Sequence, residues 1–336
     1  MGSSSKEIGT PEQRKLIKFG KSAFCITIPH TWLEKNKLRK GDTLSVQETL
    51  RNSLEIIQTN GLSNSAHELE IDITEKSTDE IIQLLLSTYL NGYTLITLRG
   101  PNAGKVEFVR KHVHEFIAAE IMEVTSNKII IHVFWDIKTI SLPSIIHRIG
   151  HITNSIFSET IEMIDSDISV RDIKEKGLEV QRQVLLARRA IKYALNNSAA
   201  AHKFNLSSLE LLYISYITYF FGMIGDYVIK IAEIIDKSKL NKFKDLLKDQ
   251  NTKKELKALI QRTSDYYGKV FDAYNKHSKL VKFVYSEYMD FEETIRKFRE
   301  KNPQLLTPLL TEYLNILISK IKETEFSMIS MENAPK

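Results

Sequence analysis

The sequence is poor in cysteine, proline and glycine, and each shortage excludes a class of structure. Cys25 is the one cysteine in 336 residues, so neither an internal disulfide nor a cysteine-rich zinc site can form, and the chain suits a reducing compartment. Seven prolines and 13 glycines are too few for collagen-like repeats or low-complexity disorder. Long apolar runs are missing as well. The longest uncharged stretch, Leu211 to Gly225, stops at Asp226, short of the roughly 18–20 apolar residues of a spanning helix, so no membrane insertion is expected. No apolar segment follows the polar opening Met1-Gly2-Ser3-Ser4-Ser5-Lys6, and a cytoplasmic protein without a secretory signal is expected.

Catalytic signatures are equally scarce. There is no HExxH motif and no ordered Ser, His and Asp set. Gly100-Pro101-Asn102-Ala103-Gly104-Lys105 is one residue short between its glycines for a phosphate loop and has Val106 where a magnesium-holding Ser or Thr belongs, so it reads as a turn. Nothing beside Cys25 points to an activated thiolate. The expectation is a protein that is not an enzyme, with no catalytic residues and no cofactor.

What the chain does have is apolar mass and an uneven charge. Apolar residues are 42% and charged residues 26%, enough to bury a large core over two or three domains. The net charge of +5 is concentrated at one end. Arg14, Lys15, Lys18, Lys21, Lys35, Lys37, Arg39 and Lys40 stand against the single acid Glu34, which leaves the remainder slightly acidic.

The pattern changes twice along the chain. In the first segment, residues 1–60, Phe24, Ile26 and Ile28 alternate with polar positions, as do Leu44 and Val46, with a helical turn after Pro29 and a reversal at Lys40-Gly41-Asp42; this reads as a ββαββ unit with a second hairpin tip at Leu50–Ser53. In the second, residues 61–138, a strand over His67–Ile73, a helix from the Ser77/Glu80 capping box to Leu90, a strand over Tyr93–Leu98, a helix over Val106–Phe116 and strands near Ile121–Val124 and Ile129–Trp135 predict a small α+β domain. The third, residues 139–336, reads as six long helices: Leu142–Ile164, Val170–Asn196, Ser207–Asp236, Thr252–Lys276, Lys279–Arg299 and Leu305–Ile329. A near-repeat at an offset of about 86 residues, Met223–Val228 against Leu309–Leu314, suggests two tandem three-helix bundles.

Two family resemblances follow from these residues. Arg14-Lys15-Leu16-Ile17-Lys18-Phe19-Gly20-Lys21-Ser22, then Ile26-Thr27-Ile28-Pro29-His30-Thr31-Trp32-Leu33, then Leu38-Arg39-Lys40-Gly41-Asp42-Thr43-Leu44-Ser45-Val46 resembles an AbrB/SpoVT-type swapped-hairpin DNA-binding domain. The resemblance implies a homodimer in which two ββαββ units interleave into one β-barrel, with Phe24, Ile26, Leu44 and Val46 inside. It also implies contact with double-stranded DNA through Arg14, Lys15, Lys18, Lys21, Ser22 and Lys40. Gly222-Met223-Ile224-Gly225-Asp226-Tyr227-Val228-Ile229-Lys230-Ile231-Ala232-Glu233 is similar to the Glu-Arg-Ile-Gly-Asp-x-x-x-x-Ile-Ala-Glu stretch of PhoU, the phosphate-uptake regulators. An AbrB-like start, an α+β middle and an all-α PhoU-like tail together resemble an archaeal architecture of PhoU-like regulators.

Departures from the PhoU pattern bear on metal. PhoU proteins hold metal clusters through carboxylate pairs four residues apart on one helix face; here Gly222 takes the first acidic place, Gln181 takes another, and Pro308 precedes Glu312. The helical domain is therefore expected to fold without metal. The residues with any ligand character are His147 and His151, four apart on one helix, with Glu179 and Asp226; the histidines read better as a surface pair. Tyr213, Tyr216, Tyr219 and Phe220 have core spacing, and the lysine-rich stretch Lys237–Lys257 reads as a solvated surface. The leading expectation is a dimeric DNA-binding transcriptional regulator, linked to phosphate uptake or a related nutrient response, whose helical domain senses a signal or binds a protein partner. The alternative is a PhoU-like adaptor that regulates a phosphate transporter or sensor by protein contact, with a barrel that only dimerises.

Overall fold

A computed structural model describes residues 12–48, 53–58, 67–239, 246–247, 249–276 and 285–334. The chain is multidomain and mixed, with small strand pairs at its N-terminal end and a mostly helical remainder. Residues up to 58 form one compact unit, and those from 67 onward form another.

The first unit contains β1 (Ile17–Phe19), β2 (Ala23–Cys25), α1 (His30–Lys35), β3 (Leu44–Glu48) and β4 (Leu54–Gln58), the ββαββ order expected from the alternation. β1 and β2 pair antiparallel with Lys18 opposite Phe24, and β3 and β4 pair with Val46 opposite Ile56. The turn between β1 and β2 needs Gly20, whose φ of 70° is left-handed and favours a residue without Cβ. β2 stops at Cys25, so Ile26 and Ile28 leave the ladder before Pro29, which has no N–H to donate and stands at the N-cap of α1. The second hairpin tip predicted at Leu50–Ser53 lies largely outside the described residues, as do the polar opening Met1–Lys6, the start of the helix predicted at Lys279, and part of the Lys237–Lys257 stretch.

In the second unit β5 (Glu68–Asp72), α2 (Thr78–Leu90), β6 (Leu95–Arg99), α3 (Val106–Val113), β7 (Ala119–Thr125) and β8 (Lys128–Val133) build a four-stranded sheet in the order β5-β6-β8-β7. β5 and β6 are parallel and joined through α2, and the remaining pairs are antiparallel. The Ser77/Glu80 capping box opens α2 as predicted. Ile129, Ile131 and Val133 alternate into the core with Ile96, Leu98, Leu85 and Tyr89. α3 ends three residues earlier than predicted, because the chain turns at His114 and reverses at Ala118, φ 65°; Phe116 reaches the core from the turn instead of the helix.

Helices α4 (Leu142–Glu162), α5 (Val170–Asn196), α6 (Ser198–Phe204), α7 (Ser208–Ser238), α8 (Gln250–Lys276), α9 (Tyr285–Lys301) and α10 (Thr307–Glu332) complete the unit. The short α6 is an addition to the six predicted. α4, α5 and α7 pack on one another, α8 and α9 pack on α10, and α7 lies along α10, so one continuous core runs through both sets. α7 and α10 are antiparallel: the Lys320 ammonium stands 5.5 Å from the Phe220 ring, and Tyr227 meets Tyr313 at 5.8 Å between centroids. Those tyrosines are equivalent positions of the near-repeat. By length and composition α7 could cross a membrane, with a mean hydropathy of 1.2 in its most apolar window; a criterion of uncharged residues alone passes over it. Ile217, Phe221, Ile224, Val228 and Ile231 on this helix turn into the protein core. The aromatic reading needs correction. Tyr216 and Tyr219 are nearly half exposed, since they fall on the face of α7 opposite to that buried stripe.

Arg189 of α5, which is fully buried, ties α5 to α2, to the loop after it and to the residue Trp135 that follows β8. Its guanidinium donates to the carbonyls of Tyr89 and, at 3.0 Å, of Tyr93, and it lies 4.8 Å from the Tyr89 ring centroid and 4.9 Å from that of Trp135. Burial lowers its pKa to about 10, so the cation persists at neutral pH. A buried charge without partners costs several kcal/mol; two carbonyls and two ring faces supply the compensation. Arg189→Ala should destabilise the protein by about 3 kcal/mol, through a cavity and the loss of the donor to the Tyr93 carbonyl, measured as a shift in the urea midpoint.

Candidate nucleic-acid interface

The basic segment runs from the residues before β1 through the β1–β2 turn and α1 to the turn before β3 of the first unit. Lys18 projects from β1 opposite Phe24, Lys21 and Ser22 occupy the β1–β2 turn, Lys15 precedes β1, and Lys40 sits in the turn before β3. All are exposed, and among the described residues Lys15, Lys18, Lys21 and Lys40 have no carboxylate partner. Arg14 differs, since its guanidinium is paired with Glu12. Free ammonium groups at a tight turn suit phosphate oxygens, because contact releases the counterions held by the nucleic acid without first breaking an ion pair.

The same unit leaves its apolar faces uncovered. Among its described residues none is buried, and Leu16, Phe19, Phe24, Val46 and Leu54 are each 59–71% exposed. Covering a Leu or Phe completely is worth roughly 1.5–3 kcal/mol, which the isolated unit forgoes. A cleft of about 620 Å³ opens between Ile26, Ile28, Trp32, Leu54 and Ile56, with Glu12, Arg14 and Lys35 also on its lining. Of the residues assigned to a barrel interior, Phe24, Ile26 and Val46 are thus exposed among the described residues of their unit, and Leu44 is half-buried.

The candidate metal residues are brought into separate pairs. Glu179 accepts from Arg148 at 2.8 Å, Arg182 at 3.3 Å and Gln183 at 2.7 Å. Asp226 accepts from the Gln181 amide at 2.8 Å. A Cβ on Gly222 would stand 3.0 Å from Val184 Cγ2, so α7 packs closely on α5 at this position. Glu159 is engaged with Lys176 and Ser155. His147 and His151 do meet, on the exposed face of α4, with Nε2 atoms 3.1 Å apart. Among the described residues no three His, Cys, Asp or Glu side chains converge. The Gly100–Lys105 segment is a turn whose lysine donates to the Ile73 carbonyl at 2.7 Å and whose Asn102 donates to the Thr125 carbonyl at 2.6 Å.

Burial pushes the Asp226 carboxyl above its ordinary value of 3.8, against the opposing Gln181 hydrogen bond and the Lys230 charge. The fold thus favours the protonated form. Its stability contribution is full below the ordinary value and declines as pH rises through the raised one. Asp226→Asn, which can still accept from Gln181, should remove this decline and be as stable as wild type or up to about 1 kcal/mol more stable at neutral pH, read from urea midpoints at acid and neutral pH. No family model, curated protein or solved structure matches the chain, so the two resemblances stand on the residues that carry them.

Proposed function

We propose that the chain is a dimeric, cytoplasmic DNA-binding transcriptional regulator linked to phosphate uptake or a related nutrient response. In this reading residues 1–60 form an AbrB/SpoVT-type swapped-hairpin barrel with a second copy, and the helices form a PhoU-like sensor or partner-binding module without membrane insertion. The observation that carries it is the pairing, in one small unit, of lysines on and around the first hairpin that have no carboxylate partner among the described residues with strand residues such as Phe24, Val46 and Leu54 that are largely exposed. A second copy supplies the missing cover, and dimerisation doubles the cations presented to one duplex. The inward packing of α7 supports its role as a core helix. The tyrosine pair at the repeat-equivalent positions of α7 and α10 supports the duplicated arrangement of a PhoU-like tail.

Phosphate binding has a measurable signature. In an anisotropy titration the full chain should bind duplex DNA with an affinity that falls steeply with salt. Lys18→Gln or Lys21→Gln should weaken binding to all sequences alike and reduce the logarithmic salt slope by about one for each phosphate no longer neutralised. Absence of duplex binding at low salt would contradict the proposal and favour the adaptor that works by protein contact.

A further inference from the structure

The histidine pair on α4 has a geometry that its sequence spacing alone does not give. His147 and His151 lie one turn apart on the solvent side, with ring centroids 4.2 Å apart and planes at 67°. Both rings rest on Phe271 of α8, at 6.0 and 5.6 Å between centroids, and Phe271 is itself buried. The close approach of α8 depends on Gly150, one residue before His151, since a Cβ there would fall 1.9 Å from Phe271 Cε2. Exposed side chains ordinarily sample several rotamers; an aromatic floor beneath both imidazoles narrows the choice and holds the rings together.

Their Nε2 atoms are 3.1 Å apart. Two imidazole nitrogens bound at about 2.0–2.1 Å to one metal, at an angle between square and tetrahedral, stand roughly 2.8–3.4 Å apart. We propose that His147 and His151 form a two-imidazole clip for one divalent transition-metal ion of the nickel, copper or zinc class. Imidazole nitrogen selects these ions over magnesium and calcium, which take oxygen ligands. Water completes the coordination, because Glu159 on the same helix is held by Lys176 and Ser155. With two protein ligands and open positions the ion exchanges readily, and the affinity is micromolar, unlike that of a closed structural site. The clip is separate from Glu179 and Asp226, whose partners are arginines and an amide.

The test is calorimetric titration of the untagged, chelator-free full chain with nickel chloride, with magnesium chloride as the control. The clip requires one nickel ion per chain at micromolar affinity, weakened about tenfold or more in both His147→Gln and His151→Gln, with unchanged circular dichroism and no response to magnesium. Wild-type affinity retained by either variant would assign the ion to another of the chain's nine histidines and overturn the proposal. So would the absence of nickel uptake by the wild-type chain at about 100 µM.

Discussion

Every sheet face and helix stripe that is apolar has to be covered by something, and two of the three parts of this chain meet that requirement internally. The helices cover one another along the α7–α10 seam and where α4, α5 and α7 meet. The four-stranded sheet buries Ile71, Ile96, Leu98, Ile129 and Ile131 on one side with Leu85, Tyr89 and Val109 from its two helices. The N-terminal hairpins have no such cover: two strands are too few to bury either face, and Phe24, Val46 and Leu54 remain exposed. The proposed function grows from this difference, since the unit that lacks a core is also the one that carries the excess of positive charge.

In the helical part, positions that the PhoU resemblance would give to acidic ligands are occupied by close packing. Gly222 and Gly225 admit Val184 and Val180 of α5 against the α7 backbone, with added Cβ atoms falling 3.0 and 3.4 Å from them. The surviving carboxylates are answered inside the chain, Asp226 by Gln181 and Glu179 by Arg148 and Arg182. A multinuclear site needs several uncommitted carboxylates to offset the repulsion between cations. Here Glu179 and Asp226 are engaged by arginine and amide donors.

Features set by local chemistry were legible in the sequence. The Ser77/Glu80 box, the hairpin turn around Gly20 and the boundaries of α5 within residues 170–196 depend on neighbours within a turn or two of the chain. Features set by distant partners were not. Arg189 looks like any helical arginine beside Arg188, and its role depends on carbonyls about 100 residues away. Spacing placed Tyr216 and Tyr219 on an apolar helix, yet the inner face is chosen by α4, α5 and α10, and Phe221 takes it. Of the candidate site, the basic residues could be named from their clustering; the pairing of Arg14 with Glu12, and the lack of a carboxylate partner for Lys18 and Lys21 among the described residues, required coordinates.

The central claim is that the N-terminal unit completes its core with a second chain. Sedimentation of the full-length protein against a variant carrying Phe24→Asp and Val46→Asp tests it most directly, because both side chains are solvent-facing in the single chain and would be interior in the paired one. The account predicts a wild-type dimer at micromolar concentration, and a monomeric variant with undiminished helical circular dichroism. A wild-type monomer, or a dimer that survives both aspartates, would contradict it.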